Sequence, residues 1–87
     1  MATVWVPSLL RDLTAGRETL VVPGRTVGQV IDTLDERHPG FRDRVCEGGQ
    51  LRPEIAVHVD GRLAPLGLRA RVGEDSEVQF LPAVGGG

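Results

Sequence analysis

Thr26-Val27-Gly28-Gln29-Val30-Ile31-Asp32-Thr33-Leu34-Asp35-Glu36-Arg37 is the stretch that decides the fold. Its apolar residues Val27, Val30, Ile31 and Leu34 fall at i, i+3, i+4 and i+7, which lays one stripe along an α-helix. Thr26 is a good N-cap and Gln29 stands three residues on, the spacing of a capping box. Asp32, Asp35, Glu36 and Arg37 take the wet side. His38-Pro39-Gly40 ends the helix, because the residue before a proline is pushed out of helical angles. A single amphipathic helix must bury its stripe, and a mixed sheet is the partner that the rest of the chain offers.

The strands lie on either side of this helix. Upstream, Thr3-Val4-Trp5-Val6 predicts a first strand, interrupted by Pro7-Ser8. Leu9, Leu10 and Leu13 supply apolar cover, and Ala15-Gly16 makes a turn. Glu18 to Val22 predicts a second strand, closed by Pro23-Gly24 and near enough to the first for an antiparallel hairpin. Downstream, Phe41 to Val45 adds a short helical turn and Glu47 to Pro53 a loop. Ile55, Val57 and Val59 alternate with Ala56, His58 and Asp60, the period of a half-buried strand. Asp60-Gly61 is a tight-turn signal from which Arg62-Leu63-Ala64 returns. Leu66 and Leu68 are expected under a connecting loop, and Gly73-Glu74-Asp75 in a turn. Ser76 to Leu81 predicts the last strand, with Val78 and Phe80 facing the core.

Composition narrows the function classes. Eighty-seven residues make one small domain with a thin core. A net charge of -2 argues against a basic nucleic-acid footprint. All ten cationic side chains are arginine, so the chain offers no lysine nucleophile and no lysine for an isopeptide branch. Cys46 is the only cysteine, which rules out an intrachain disulfide and fits a reducing compartment. No cationic segment leads into an apolar stretch at the N-terminus, and no apolar run approaches membrane-spanning length. The expectation is a cytoplasmic protein with no membrane contact and no nucleic-acid partner.

The other informative stretch is Val78-Gln79-Phe80-Leu81-Pro82-Ala83-Val84-Gly85-Gly86-Gly87. A strand runs through a short bridge into glycines. Residues without a Cβ enter channels too narrow for any other side chain. A bare backbone end of this kind suits a group that is itself the reagent, presented to another enzyme. Residues 1–84 are read as the domain with its bridge, and 85–87 as a flexible glycine tail.

Taken with Thr3-Val4-Trp5-Val6-Pro7, the helix opening at Thr26-Val27 and the hairpin Val57-His58-Val59-Asp60-Gly61, this ending resembles the small sulfur carriers of the MoaD/ThiS type. Leu81-Pro82-Ala83-Val84 before the glycines looks most like the actinobacterial carriers of cysteine biosynthesis. The resemblance covers nearly the whole chain, and the ending is its specific part. It implies an α+β fold of the β-grasp, or ubiquitin-like, class, with a mixed four- to five-stranded sheet packed on one main helix. It also implies that Gly86 and Gly87 are the sulfur-carrying terminus, with Val84 and Gly85 as spacer. In such families an adenylating, ubiquitin-activating-like enzyme uses ATP to join the terminal carboxylate to AMP. A sulfurtransferase or other sulfur donor then displaces AMP and leaves a thiocarboxylate, and a biosynthetic enzyme accepts the sulfur. The chain itself would bind no cofactor and perform no catalysis. Cysteine, a thiosugar or a cofactor are the acceptors such carriers serve. The alternative is a protein modifier joined to targets through Gly87, and a third reading is the small subunit of a stable complex.

Other candidate residues are weighed on chemistry alone. Cys46 is tied to no histidine or carboxylate by a recognised motif and reads as an inert half-buried thiol. His38 and His58 lack metal-ligand spacing with it, so no metal site is expected. Asp32, Asp35 and Glu36 read as a solvated helix face. Gly24-Arg25-Thr26-Val27-Gly28 precedes a helix but lacks the lysine of a phosphate-binding loop. If Val4 and Val6 face the helix, Trp5 faces outward. The fold analogy sets the first and last strands side by side, so Trp5, His58 and Leu81 are expected on one open face as a docking patch. Arg69 and Arg71 are expected to add charge near the tail.

Overall fold

The computed structural model describes residues 1–83. Buried residues alternate with more exposed ones along β1 (Ala2–Trp5) and β2 (Thr19–Val22), which pair antiparallel with Val4 opposite Leu20 and Trp5 opposite Thr19. The connection starts with a 3₁₀ turn at Ser8–Leu10 and reverses at Ala15 and Gly16, both at positive φ. The buried Thr14 ties this turn by donating its hydroxyl to the Arg17 carbonyl at 3.0 Å. Leu10 is buried and Leu13 half-buried, whereas Leu9, expected as cover, stands in solvent.

The helix α1 (Val27–Arg37) buries Val27, Val30, Ile31 and Leu34 completely, the stripe read from the sequence. Thr26 Oγ1 accepts the Gln29 N–H at 3.1 Å. The return arm of the capping box differs from expectation: Gln29 Oε1 accepts from the Arg25 N–H at 2.8 Å, one residue upstream of the cap. The backbone there is drawn into a bridge between Thr26 and Arg71, with Val27 N–H donating to Ala70 and Val72 N–H to Arg25, which leaves the Arg25 amide for the glutamine. Glycine is required at position 24. Its φ is +155°, and a Cβ would lie 2.7 Å from Val30 Cγ2 and 3.0 Å from the Val30 nitrogen.

A second helix, α2 (Phe41–Val45), follows directly. Asp35 accepts the Arg42 N–H at 3.0 Å and Asp32 pairs with the Arg42 guanidinium, so the two carboxylates fasten α2 to α1. Phe41 is fully buried and meets Phe80 edge to face, with ring centroids 5.6 Å apart. The segment expected as a loop is instead a small hairpin, β3 (Cys46–Glu47) and β4 (Gln50–Leu51). Its turn residues Gly48 and Gly49 sit at φ of 62° and 77°, the left-handed pair that matches the twist of a two-residue hairpin.

Strand β5 (Ile55–Val59) turns at Asp60-Gly61 into β6 (Arg62–Leu63). A second 3₁₀ turn (Gly67–Arg69) packs against the start of α1, and β7 (Glu77–Pro82) closes the chain's path. Leu68 is half-buried beneath this segment, but Leu66 is exposed. The strand order is β2-β1-β7-β5-β6. The β1–β7 pair is parallel and the other three are antiparallel. A mixed five-stranded sheet gripping one main helix is the β-grasp arrangement that the resemblance implies. The core lies between them: Val4, Leu20, Val22, Val57, Val78 and Phe80 face the helix stripe.

Candidate functional site

The sheet has one face covered by the helices and one face open. Alternation fixes which side chains the open face presents. In β7 the residues between Val78 and Phe80 and beyond them are Glu77, Gln79 and Leu81. Trp5 lies opposite Gln79, and Gln79 opposite His58. Thr19 is opposite Trp5 and Leu63 opposite His58. Thr19, Trp5, Gln79, His58 and Leu63 therefore form one row across all five strands. Leu81 and Ala56 stand beside that row. The structure thus brings Trp5, His58 and Leu81 to one face, as the sequence reading expected.

This face is apolar in patches. Trp5 is 41% exposed, Val21 56% and Leu63 61%. Leu81, Ala56, His58 and Gln79 are half-buried. The Trp5 indole donates to Glu77 Oε1 at 3.3 Å, which ties the exposed ring to the neighbouring strand. Val21, Leu63 and Glu77 were not singled out from the sequence. Their alternation with buried neighbours was the available signal, but it needs the strand pairing to place them beside Trp5.

The central strand carries the chain past this face toward its end. Pro82 is opposite Ile55, and the Ala83 N–H donates to the Glu54 carbonyl at 2.8 Å. The residues named for sulfur chemistry and spacing, Val84, Gly85, Gly86 and Gly87, lie outside the described residues. Arg69 and Arg71 do not come to this end of the sheet. Ala70 and Arg71 bond around the N-terminus of α1, beyond the opposite end of β7, because the second 3₁₀ turn must close over the helix start. The arginines beside Ile55 and Glu54 are Arg44 and Arg52, which line a groove of about 270 Å³ with Leu9. Both are engaged: Arg44 with Asp12 and the Leu9 carbonyl, Arg52 with the Asp43 carbonyl.

Cys46 is buried, and burial pushes its thiol pKa up, with Arg42 and Arg52 pulling the other way. A protonated, enclosed thiol is a poor nucleophile. Among the described residues no group of three His, Cys, Asp or Glu side chains gathers as a metal set. No helix among them is long and apolar enough to cross a membrane.

A family model described as the ThiS family matches residues 4–87. The chain belongs to the ThiS family. Over 98% of its length it is 32% identical to the sulfur carrier protein CysO of Mycobacterium tuberculosis, covering 97% of that protein. Among solved structures it is similar to a chain in the crystal structure of the Amycolatopsis orientalis BexX/CysO complex. That match has a TM-score of 0.92 and 34% identity, and covers 100% of both chains. It is also similar to the small archaeal modifier protein 1 of Methanosarcina acetivorans, with a TM-score of 0.80 and 25% identity over 99% of this chain and 95% of that one. ThiS-family membership and these structural likenesses agree on the ubiquitin-like β-grasp fold.

Proposed function

We propose that this chain is a sulfur carrier protein whose Gly87 carboxylate is adenylated and then converted to a thiocarboxylate that donates sulfur in biosynthesis. The observation that carries the reading is the glycine run Gly85-Gly86-Gly87, reached by a family match that extends through residue 87. The near full-length similarity to a named sulfur carrier supports the same reading.

The chemistry explains the residue choice. A carboxylate is a poor acylating centre. Its oxygen must attack the α-phosphorus of ATP and expel pyrophosphate, which gives an acyl adenylate. A sulfur nucleophile then adds at the carbonyl carbon, the C–O bond to AMP breaks, and a C–S bond remains. Charge develops on phosphoryl oxygens in the first step and must be met by preorganised cationic groups or a metal ion. The tail has no such groups, so the activating enzyme supplies them together with ATP. A Cβ at position 86 or 87 would crowd the attack.

The folded part serves as the handle. The open face bearing Trp5, His58 and Leu81 is the docking surface for the activating enzyme, with Val21 and Leu63 extending it. Leu81 links that face to the end of β7, so docking there aims the terminus. The chain is a cosubstrate that moves between an activating enzyme, a sulfur donor and an acceptor enzyme. The ending Leu81-Pro82-Ala83-Val84 favours cysteine formation, or a specialised pathway that borrows the same carrier. A second reading, a modifier joined through Gly87 to amines on targets, is favoured by the likeness to the archaeal modifier protein. Incubation with activating enzyme, ATP and sulfide, followed by intact mass analysis, tests the first reading. Replacement of one oxygen by sulfur supports it, whereas amine-linked conjugates and no sulfur gain support the second.

A further inference from the structure

We infer that the free edge of β2 is a second recognition surface, which takes up an extended, acidic peptide segment of a partner protein as an added strand. The inference is independent of the tail chemistry; it shares Thr19 and Val21 with the open face but uses their outward backbone groups instead of their side chains.

Strand β2 is at the edge of the sheet. The Val6 N–H donates to the Glu18 carbonyl, so the bonded positions in the antiparallel pair with β1 are Glu18, Leu20 and Val22. Thr19 and Val21 therefore turn their N–H and C=O groups away from the sheet. The Arg37 guanidinium meets the Val21 carbonyl at 3.3 Å, which marks the outward direction of that group. It is a long, exposed contact that an incoming amide can replace.

A groove of about 320 Å³ runs along this edge, lined by Thr19 to Val22 together with Arg17, Arg37 and His38. Its lining mixes Leu20, Val21 and Val22 with polar groups, and its row of edge-facing backbone groups fits an added extended strand. The charge around it is one-sided. Neither Arg17 nor Arg37 is in an ion pair among the described residues, whereas Arg11, Arg42, Arg44 and Arg52 all are. The carboxylate of Glu18, next to Arg17, is turned to Arg11 at 3.8 Å. Two guanidinium groups without an ion pair among the described residues, Arg37 held only by its exposed contact to the Val21 carbonyl, stand beside this edge; they select carboxylates and discourage pairing with a second identical edge, which brings the same cations.

The test uses the full chain, isotope-labelled, and a synthetic peptide of alternating valine and threonine ending in a run of aspartates. Amide shifts centred on Thr19 to Val22, with slowed hydrogen exchange at Thr19 and Val21, are expected. A peptide ending in lysines should bind about tenfold more weakly, as should R17E/R37E, the size expected when two exposed charge contacts are lost. Peptide N-methylated at alternate residues should not bind, and this control does not depend on a variant folding. Shifts confined to Trp5, Gln79 and His58 would overturn the inference, as would equal binding of the lysine peptide or no shifts at millimolar peptide. Self-association of the free chain through Thr19 to Val22 would equally replace a partner's peptide by a second copy.

Discussion

Trp5 and His58 stand in one row of the sheet with Gln79 between them, two strand spacings or roughly 10 Å apart. The chain reaches its end through Leu81, two residues along β7 from that same Gln79. A partner that covers the row is thereby placed beside the root of the tail. Trp5→Ala should weaken affinity for the activating enzyme about tenfold, since aromatic side chains dominate such patches. It should leave stability within about 0.5 kcal/mol, because the side chain is a surface one. Titration calorimetry with the activating enzyme and a thermal melt of the variant separate the two effects.

Asp60 locks the β5–β6 turn to the start of β7. Its carboxylate accepts from the Ser76 hydroxyl at 2.8 Å and from the Glu77 N–H at 2.9 Å. The backbone bond from Glu77, and then the Ser76 hydroxyl, hold its pKa below the ordinary carboxylate value. The folded state therefore binds the proton less readily than the unfolded chain. The stabilisation is fully present above the unfolded pKa and is lost as pH falls through the folded one. Thermal melts of the wild type should drop across that acidic window. Asp60→Asn, which keeps the left-handed turn residue, should show a shallower drop and no added pH dependence near neutrality.

Gly24→Ala should destabilise the fold by about 1–3 kcal/mol, the range for forced overpacking. The added methyl meets both the Val30 side chain and the Val30 backbone, and neither is the far end of a flexible chain. Urea denaturation should show a lower midpoint with an unchanged slope. Gly61→Ala, where a Cβ meets nothing within 4 Å, isolates the cost of the positive φ alone.

Phe41→Ala should cost about 3–5 kcal/mol, the range for a buried aromatic reduced to alanine. Phe41 joins α2 to Phe80 on the central strand, so its loss opens the core at the end of α1. Near-ultraviolet circular dichroism and denaturant melts read the loss.

Cys46 should react slowly with a thiol reagent in the folded chain and fast in denaturant, because it is enclosed and its thiol is kept protonated. Cys46→Ala should still be loaded with sulfur. Loss of loading in a folded Cys46→Ala protein would make the thiol a sulfur relay.

Periodicity was enough to place α1, the main strands and the outward direction of Trp5, because each depends on neighbours close in sequence. The small hairpin at Cys46 to Leu51 was missed although Gly48-Gly49 is a hairpin dipeptide, since strands of two residues carry no alternation to read. The positions of Arg69 and Arg71 depend on where the second 3₁₀ turn docks on α1, a long-range contact with no local pattern. The same holds for Val21, Leu63 and Glu77: their side of the sheet is legible, and their nearness to Trp5 is a matter of strand order.

The carrier account is tested most directly by intact mass analysis of two proteins, the full chain and a version lacking Gly87, each incubated with the activating enzyme, ATP and a sulfur donor. The full chain should gain the mass difference between sulfur and oxygen, and the shortened chain should remain unchanged while folding normally. Equal sulfur gain by the chain without Gly87 would contradict the account.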